Sequence, residues 1–166
     1  MTSLEDQIVQ RYTHKRAIGV PEYKRGNMDS KENEIESGFA EKFACEYLGQ
    51  PFNNKITDRG DNGIDCIFKG YTVDAKWMGM VDNTTTPRDS GTIIVDLGKL
   101  RADIYIAVAG SRQIGFTILG WCSAWELMAE PWFKTKYIDK NGRKYRYGIH
   151  TSKLHHIDFL ILKGHK

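Results

Sequence analysis

The alternation of apolar and polar residues along the chain predicts three helices. A capping pattern at Ser3 and Asp6 precedes apolar residues at helical spacing, which predicts a helix over about residues 3–13. A second helix is predicted over about residues 31–48, because a capping sequence precedes this segment and a Gly and a Pro follow it. A third helix is predicted to begin at Ser123 and to end at the next proline.

Short apolar runs bounded by Gly, Asp or Asn predict about five β-strands among these helices. The predicted strands are Phe52–Thr57, Ile64–Phe68, Tyr71–Trp77, Ile104–Ala109 and Gly115–Trp121. The predicted fold class is therefore α/β, with a mixed central sheet of about five strands flanked by helices in one domain over residues 1–166. The pair Asn141-Gly142 also predicts a type I′ hairpin between Tyr137 and Tyr147.

Composition narrows the class of protein. The chain has 166 residues, of which 40% are hydrophobic and 27% charged, which fits a globular domain and excludes a disordered or fibrous chain. The longest apolar runs fall short of the ~18 residues needed to span a bilayer, so no membrane partner is expected. The N-terminal residues lack the basic and apolar regions of a secretory signal, which predicts a cytoplasmic protein. Three widely spaced cysteines without a C-x-x-C pattern predict buried, reduced thiols.

Positive charge is concentrated in two segments. The net charge of +3 is too small for binding of nucleic acid over the whole surface, so such binding would depend on local clusters. The clusters are an N-terminal arm over about residues 11–28 and the C-terminal hairpin over about residues 134–150, and a long loop is predicted at 82–91. A basic two-stranded ribbon fits the major groove of DNA, although a solvated hairpin that packs through its tyrosines is the alternative. The predicted DNA contacts are Arg88 of the loop and Lys140, Arg143, Lys144 and Arg146 of the hairpin.

The segment from residue 60 to 77 carries the candidate chemistry. It is predicted to form a tight hairpin around a Lys69-Gly70 turn. In this register Asp65 lies directly opposite Asp74, which would place their Cβ atoms about 4.5–5.5 Å apart. Because like charges at that separation are destabilising, a compensating cation is expected.

The period of two along the hairpin separates a core face from a polar face. Asp65, Asp74 and Lys76 lie on the polar face. Carboxylate oxygens suit a hard divalent cation such as Mg²⁺, which is usually held by one or two carboxylates together with substrate phosphate. Lys76 is placed to orient a metal-bound water or to neutralise the charge that develops when a phosphodiester is attacked. These groups predict a hydrolase.

The second helix is predicted to supply a further acid. Glu34 and Glu41 lie on a helical stripe that is otherwise small and apolar, and this stripe should face the sheet. Because a buried unpaired carboxylate is costly, Glu41 is predicted to join the metal cluster. Glu34 and Glu36 are the alternatives on the helix, and Asp61, in a Gly-flanked loop, is a further candidate ligand.

A helix with an inward Glu, followed by Asp65 and then by the triplet Asp74–Lys76 on the next strand, resembles the PD-(D/E)XK nuclease superfamily, which has the restriction-endonuclease-like fold. The resemblance covers about residues 31–130. Within this range the chain is similar to phage and mobile-element members of the superfamily. The chain departs from the family pattern in having Ile64 rather than Pro before the first Asp.

The resemblance implies a Mg²⁺-dependent DNA endonuclease in which Mn²⁺ can take the place of Mg²⁺. It implies that Asp65, Asp74 and the backbone carbonyl of Ala75 bind the metal. Lys76 would position or activate the attacking water, and Glu41 would complete the site. We expect a sequence-specific enzyme of restriction or homing type that forms a homodimer or higher homo-oligomer. The alternatives are a structure-selective nuclease such as a Holliday junction resolvase and a non-catalytic nucleic-acid-binding module.

Overall fold

The structure is a computed structural model, and it describes residues 2–19, 29–53, 63–81, 84–129, 136–139 and 142–162. Within these ranges the α-helices are α1 (Leu4–Ala17), α2 (Ser30–Tyr47), α3 (Ala124–Ala129) and α4 (Ile157–Leu162). The strands are β1 (Cys66–Phe68), β2 (Tyr71–Gly79), β3 (Thr92–Asp96), β4 (Ile104–Ser111), β5 (Gly115–Ser123), β6 (Lys136–Asp139) and β7 (Gly142–His150). None of the helices in the described ranges combines the length and apolar character that spanning a bilayer requires.

A mixed four-stranded sheet with the strand order β1-β2-β4-β5 lies at the centre of the described fold. β2 runs parallel to β4, whereas β1 and β5 pair antiparallel with their neighbours. A second, antiparallel sheet has the order β3-β7-β6. The predicted α/β class and mixed central sheet are therefore confirmed.

The central sheet has four strands in the described part of the chain rather than about five. Phe52 and Asn53 begin the first predicted strand but are not in a strand, and residues 54–57 lie outside the described residues. The sequence patterns did not predict β3 or α4, because elements of five and six residues leave little periodicity to detect.

Two hydrophobic cores lie on the two faces of the central sheet. α2 covers one face with side chains that include Ala40 and Ala44. β3 and β7 cover the other face with side chains that include Ile93 and Ile149. β4 is buried on both faces from Ile104 to Gly110. This burial explains why the sequence of β4 is a continuous apolar run rather than an alternating one.

The N-terminal helix begins at the predicted capping box. The Ser3 hydroxyl accepts a hydrogen bond from the Asp6 N–H at 3.1 Å, and the Ser3 N–H donates to the Asp6 carboxylate at 3.2 Å. The helix runs about a turn further than predicted, so residues 11–17 of the predicted basic arm are helical. Arg11, the first residue of the predicted basic arm, is buried because it packs against α2. Residues 20–28 of that arm lie outside the described residues.

The C-terminal hairpin has a different register from the predicted one. Asp139 pairs with Gly142, so Gly142 is the first residue of β7 rather than part of the turn. Residues 140–141 lie outside the described residues. Tyr147 pairs with Val95 of β3, and this pairing joins the hairpin to the second sheet.

All three cysteines are buried and free, as predicted. A hydrogen bond with Cys66 and burial raise the pKa of Cys45 far above its usual range. Burial raises the pKa of Cys122 to about 12. Cys45 and Cys122 therefore stay protonated at neutral pH and act as small core residues rather than nucleophiles.

Arg112, in the turn between β4 and β5, fastens α2 to the central sheet. Its backbone N–H and its Nε donate to the two carboxylate oxygens of Glu36 at 2.9 and 2.8 Å. Glu36 is buried, whereas Glu5 and Glu32, which contact the same guanidinium, lie at the surface. Glu36, an alternative acid for the metal cluster, is therefore bound to an arginine on the β4–β5 turn.

Candidate active site

The hairpin of β1 and β2 has the register predicted from its turn. Lys69 and Gly70 have positive φ angles of 51° and 83°, as both central residues of a type I′ turn require. The first pair across the turn is Phe68 with Tyr71, and the ladder keeps this register to the end of β1. Local turn chemistry therefore sets which side chains of the two strands face each other.

Asp65 lies just beyond the end of β1 and completes the pairing with β2. Its N–H donates to the Val73 carbonyl at 2.8 Å, and its carboxylate accepts a hydrogen bond from the Ala75 N–H at 2.7 Å. The carboxylate thus accepts a hydrogen bond from β2 that a backbone carbonyl of a neighbouring strand would otherwise accept. The ladder of β1 and β2 ends at the pair of Cys66 with Val73, and the Asp65 N–H also bonds to Val73, so the predicted direct pair of Asp65 with Asp74 is not part of the ladder. Only 2% of Asp65 and 3% of Asp74 are exposed. Both acids predicted on the polar face are therefore buried, whereas Lys76 is partly exposed.

The electrostatics of this pair are unfavourable without a cation. Burial raises the pKa of Asp65 well above its usual value, and the carboxylates of Glu41 and Asp74 raise it further. The hydrogen bond from Ala75 and the charge of Lys76 lower it. Lys76 Nζ lies 2.6 Å from Asp74 Oδ2, and 33% of the Lys76 side chain is exposed. Lys76 therefore neutralises part of the charge of Asp74.

The donor chemistry at this edge of β2 fits a hard divalent cation. Asp65 and Asp74 offer carboxylate oxygens, and two ionised carboxylates exceed the charge of the Lys76 ammonium that contacts Asp74. The carbonyl of Ala75 points to the same edge as its N–H, which faces Asp65. Mg²⁺ keeps several waters, so two carboxylates suffice as protein donors. Among the described residues no three His, Cys, Asp or Glu side chains are grouped as metal ligands, and Asp61 lies outside those residues.

The acids of α2 have partners that the sequence did not indicate. Glu41 accepts hydrogen bonds from Arg11 of α1 at 3.0 and 3.1 Å and from the Ser37 hydroxyl at 2.9 Å. Glu34 lies 3.0 Å from Arg11 Nε and 2.6 Å from Lys15 Nζ. Glu34 and Glu41, the two acids of the inward stripe of α2, therefore contact basic side chains of α1.

Tyr105 is a residue near the site that the sequence patterns did not reveal. It is the β4 partner of Asp74, and its side chain is fully buried. Its hydroxyl accepts hydrogen bonds from the N–H groups of Arg101 and Ala102 at 3.2 and 3.3 Å, which fixes the segment leading into β4. Burial raises its pKa, and the charge of Asp74 also acts in this direction. No local pattern indicates the contact, because parallel strands meet only through a long crossover.

The residues predicted to contact DNA are only partly within the described structure. Arg88 is half-buried, and its Nε donates to the Met80 carbonyl at 3.3 Å, so it helps to hold the loop beside β2. Lys140 lies outside the described residues. The side chains of three further predicted contacts also lie outside the described part of the chain: Arg143, Lys144 and Arg146.

Replacement of Asp65 by Asn is expected to stabilise the metal-free protein by about 1 kcal/mol at neutral pH, or about 3 °C in Tm. The amide oxygen can still accept the Ala75 hydrogen bond, while the buried charge and its repulsion by Glu41 and Asp74 are removed. The pKa of Asp65 is raised in the folded protein, so the wild-type carboxyl is protonated in both states below about pH 4. The advantage of Asn should therefore be small there and grow as the pH rises through the raised pKa.

Thermal unfolding in EDTA between about pH 4 and pH 8 measures this difference. Asp158→Asn, a matched change at an exposed aspartate of α4, should leave the Tm within about 1 °C of wild type. A wild-type protein that is more stable than Asp65→Asn at the upper end of this range would contradict the electrostatic interpretation.

Comparison of this chain with family models, with curated proteins and with solved structures finds no match. What the protein does must therefore follow from the chemistry of Asp65, Asp74 and Lys76 and from the fold that places them.

Proposed function

We propose that this protein is a Mg²⁺-dependent DNA endonuclease of the PD-(D/E)XK superfamily. The observation that carries the proposal is the arrangement at the edge of β2, where the buried carboxylates of Asp65 and Asp74 lie with Lys76. The mixed four-stranded sheet with a helix packed on one face supports a restriction-endonuclease-like fold. Asp65 is buried and its pKa is raised, and such groups cluster at functional sites because burial and neighbouring charges are arranged there to shift pKa values.

In this proposal Asp65, Asp74 and the carbonyl of Ala75 hold Mg²⁺. When bound, Mg²⁺ supplies Lewis-acid stabilisation of the charge on the reacting phosphate and lowers the pKa of water. Lys76 reaches solvent with part of its side chain while its ammonium contacts Asp74. From there it orients the attacking water and stabilises the negative charge that develops during attack. Tyr105 holds the segment before β4 in place beside Asp74.

The proposed substrate is DNA held through its backbone. The basic C-terminal hairpin and Arg88 in the loop beside β2 supply cationic groups for phosphate contacts. A homodimer would bring one site to each strand of a duplex, since one site cuts one strand. The favoured activity is sequence-specific cleavage of restriction or homing type in the cytoplasm. The hairpin contacts proposed are Lys140, Arg143, Lys144 and Arg146.

The first test is incubation of the full-length protein with long mixed-sequence DNA, with and without Mg²⁺. We expect cleavage that requires Mg²⁺, or Mn²⁺ in its place. Lys76→Ala should reduce the cleavage rate about 10²-fold, because it removes a preorganised charge at the reacting phosphate. Lys42→Ala removes a lysine that pairs with Glu46 on α2 and is the matched control, with no expected change in rate.

Comparison of a plain duplex with a four-way junction as substrate distinguishes the possible activities. Discrete fragments from plain duplex would support the sequence-specific enzyme, whereas cleavage confined to a four-way junction would indicate a structure-selective nuclease. Salt-sensitive binding to both substrates without cleavage of either would contradict the proposal and indicate a nucleic-acid-binding module.

A further inference from the structure

Arg11 is a buried cation at the contact between α1 and α2, with 1% of its surface exposed. Its Nη1 and Nη2 donate to Oε2 of Glu41 at 3.0 and 3.1 Å. Its Nε lies 3.0 Å from Oε1 of Glu34. Because a charge is costly to bury unless it is paired, these carboxylates account for the position of the guanidinium.

Close packing of the two helices holds Arg11 in place. Ile8 lies on the same face of α1 and packs against Gly38 of α2, where an added Cβ would come 2.6 Å from Ile8 Cδ1. The same Cβ would lie 3.2 Å from Nη2 of Arg11. A larger residue at position 38 would clash with the Ile8 side chain and crowd the Arg11 guanidinium, so the glycine permits the close contact of α1 with α2 at this point.

The Arg11 contact leaves Glu41 with protein donors on both carboxylate oxygens. The Ser37 hydroxyl donates to Oε1 at 2.9 Å, while Arg11 occupies Oε2. Glu41 is nevertheless near the candidate metal ligands, since it lies one helical turn before Cys45 on the buried side of α2, and Cys45 belongs to the same core cluster as Cys66, the residue after Asp65. A guanidinium within hydrogen-bond distance repels a divalent cation and competes for the same lone pairs.

We propose that Arg11 is a positioning residue that holds Glu41 away from metal binding, so that the site binds a single divalent cation through Asp65 and Asp74. The inference rests on the proposed function. It adds to that function the number of metal ions that the site binds and the contribution of α1 to the site. The guanidinium of Arg11 takes the place of a second metal ion beside the carboxylate of Glu41. α1 is then part of the active site, although it precedes the segment that resembles the nuclease family.

Binding of Mn²⁺ to the full-length protein, measured by titration calorimetry without DNA, tests this inference. We expect one Mn²⁺ per chain in the wild type and in Glu41→Gln, with unchanged affinity. Arg11→Met frees the Glu41 carboxylate and should tighten Mn²⁺ binding at least about tenfold or add a second ion. The double variant Arg11→Met/Glu41→Gln should return to wild-type binding, because the freed carboxylate is then absent.

Two controls separate positioning from a general effect on α1. Lys15→Met removes the other cation on Glu34 and should leave Mn²⁺ affinity unchanged, whereas a general loosening of α1 would alter both variants. The Tm of each variant reports folding, and where Arg11→Met does not fold, Glu41→Gln carries the test alone.

Two ions bound to the wild type, unchanged binding in a folded Arg11→Met, or a loss of affinity of about tenfold or more in Glu41→Gln would overturn the inference. Binding that depends on Glu41 would contradict this inference alone. A wild-type protein that binds no Mn²⁺ would contradict the proposed function as well.

Discussion

Asp74→Asn is expected to reduce Mg²⁺-dependent DNA cleavage by at least about 10³-fold while DNA binding is retained or strengthened. The Asp74 carboxylate is buried beside Lys76, where an amide would be a much weaker metal ligand. Loss of the ligand removes the several kcal/mol of stabilisation that a bound cation gives to the transition state. Loss of the negative charge also removes repulsion of the DNA phosphates, so binding should not weaken.

Single-turnover cleavage in Mg²⁺ and an electrophoretic mobility shift in EDTA measure the two effects separately. Asp158→Asn on α4 is the matched control, because this aspartate is exposed and pairs only with His156 among the contacts seen for it. Cleavage by Asp74→Asn at the wild-type rate would contradict a catalytic role. Loss of cleavage, binding and folding together would show that Asp74 is structural.

Arg112→Ala is expected to destabilise the protein by about 3 kcal/mol, or about 9 °C in Tm. The change removes the guanidinium that neutralises the buried Glu36 and that stacks on Phe39 with 5.3 Å between Cζ and the ring centroid. Removing one partner of a buried pair leaves an uncompensated charge in a region of low dielectric. The backbone N–H at position 112 still donates to Glu36. The expected loss of stability is therefore at the lower end of the range that is typical when a buried ion pair is broken.

Thermal unfolding at neutral pH measures this loss. Glu5→Ala removes an exposed partner of the same guanidinium, and the control should change stability by less than about 0.5 kcal/mol. Adding Glu36→Gln to Arg112→Ala should recover part of the lost stability, because the stranded charge is then gone. A Tm for Arg112→Ala within about 2 °C of wild type would contradict the importance of this contact.

The features that could be predicted from the sequence are those that depend on neighbouring residues. The β1–β2 register follows from a two-residue turn at Lys69 and Gly70 and from the period of two in the flanking strands. The start of α2 follows from the Asp29 side chain, which accepts the N–H of Glu32. The predicted direct pairing of Asp65 with Asp74 extends that register one residue beyond the observed ladder, which ends at Cys66 and Val73.

The errors arose where elements distant in the chain meet. β3 owes its position to pairing with β7, and its own five residues carried too little pattern to predict it. The hairpin of β6 and β7 is displaced by one residue from the Asn-Gly turn, and β7 is at the same time paired with β3. Where a strand has partners on both sides, its pairing need not follow the local turn preference.

The sequence by itself determined that Asp74 and Lys76 share one face of β2, since strand periodicity is a local property. Helical periodicity likewise placed Glu41 on an inward stripe of α2. Only the tertiary structure decided what that stripe would meet, because periodicity defines the face of a helix but not the element that packs on it. The packing of α1 against α2 brought Arg11 to Glu41, and the assembled fold buried Asp65 and Asp74.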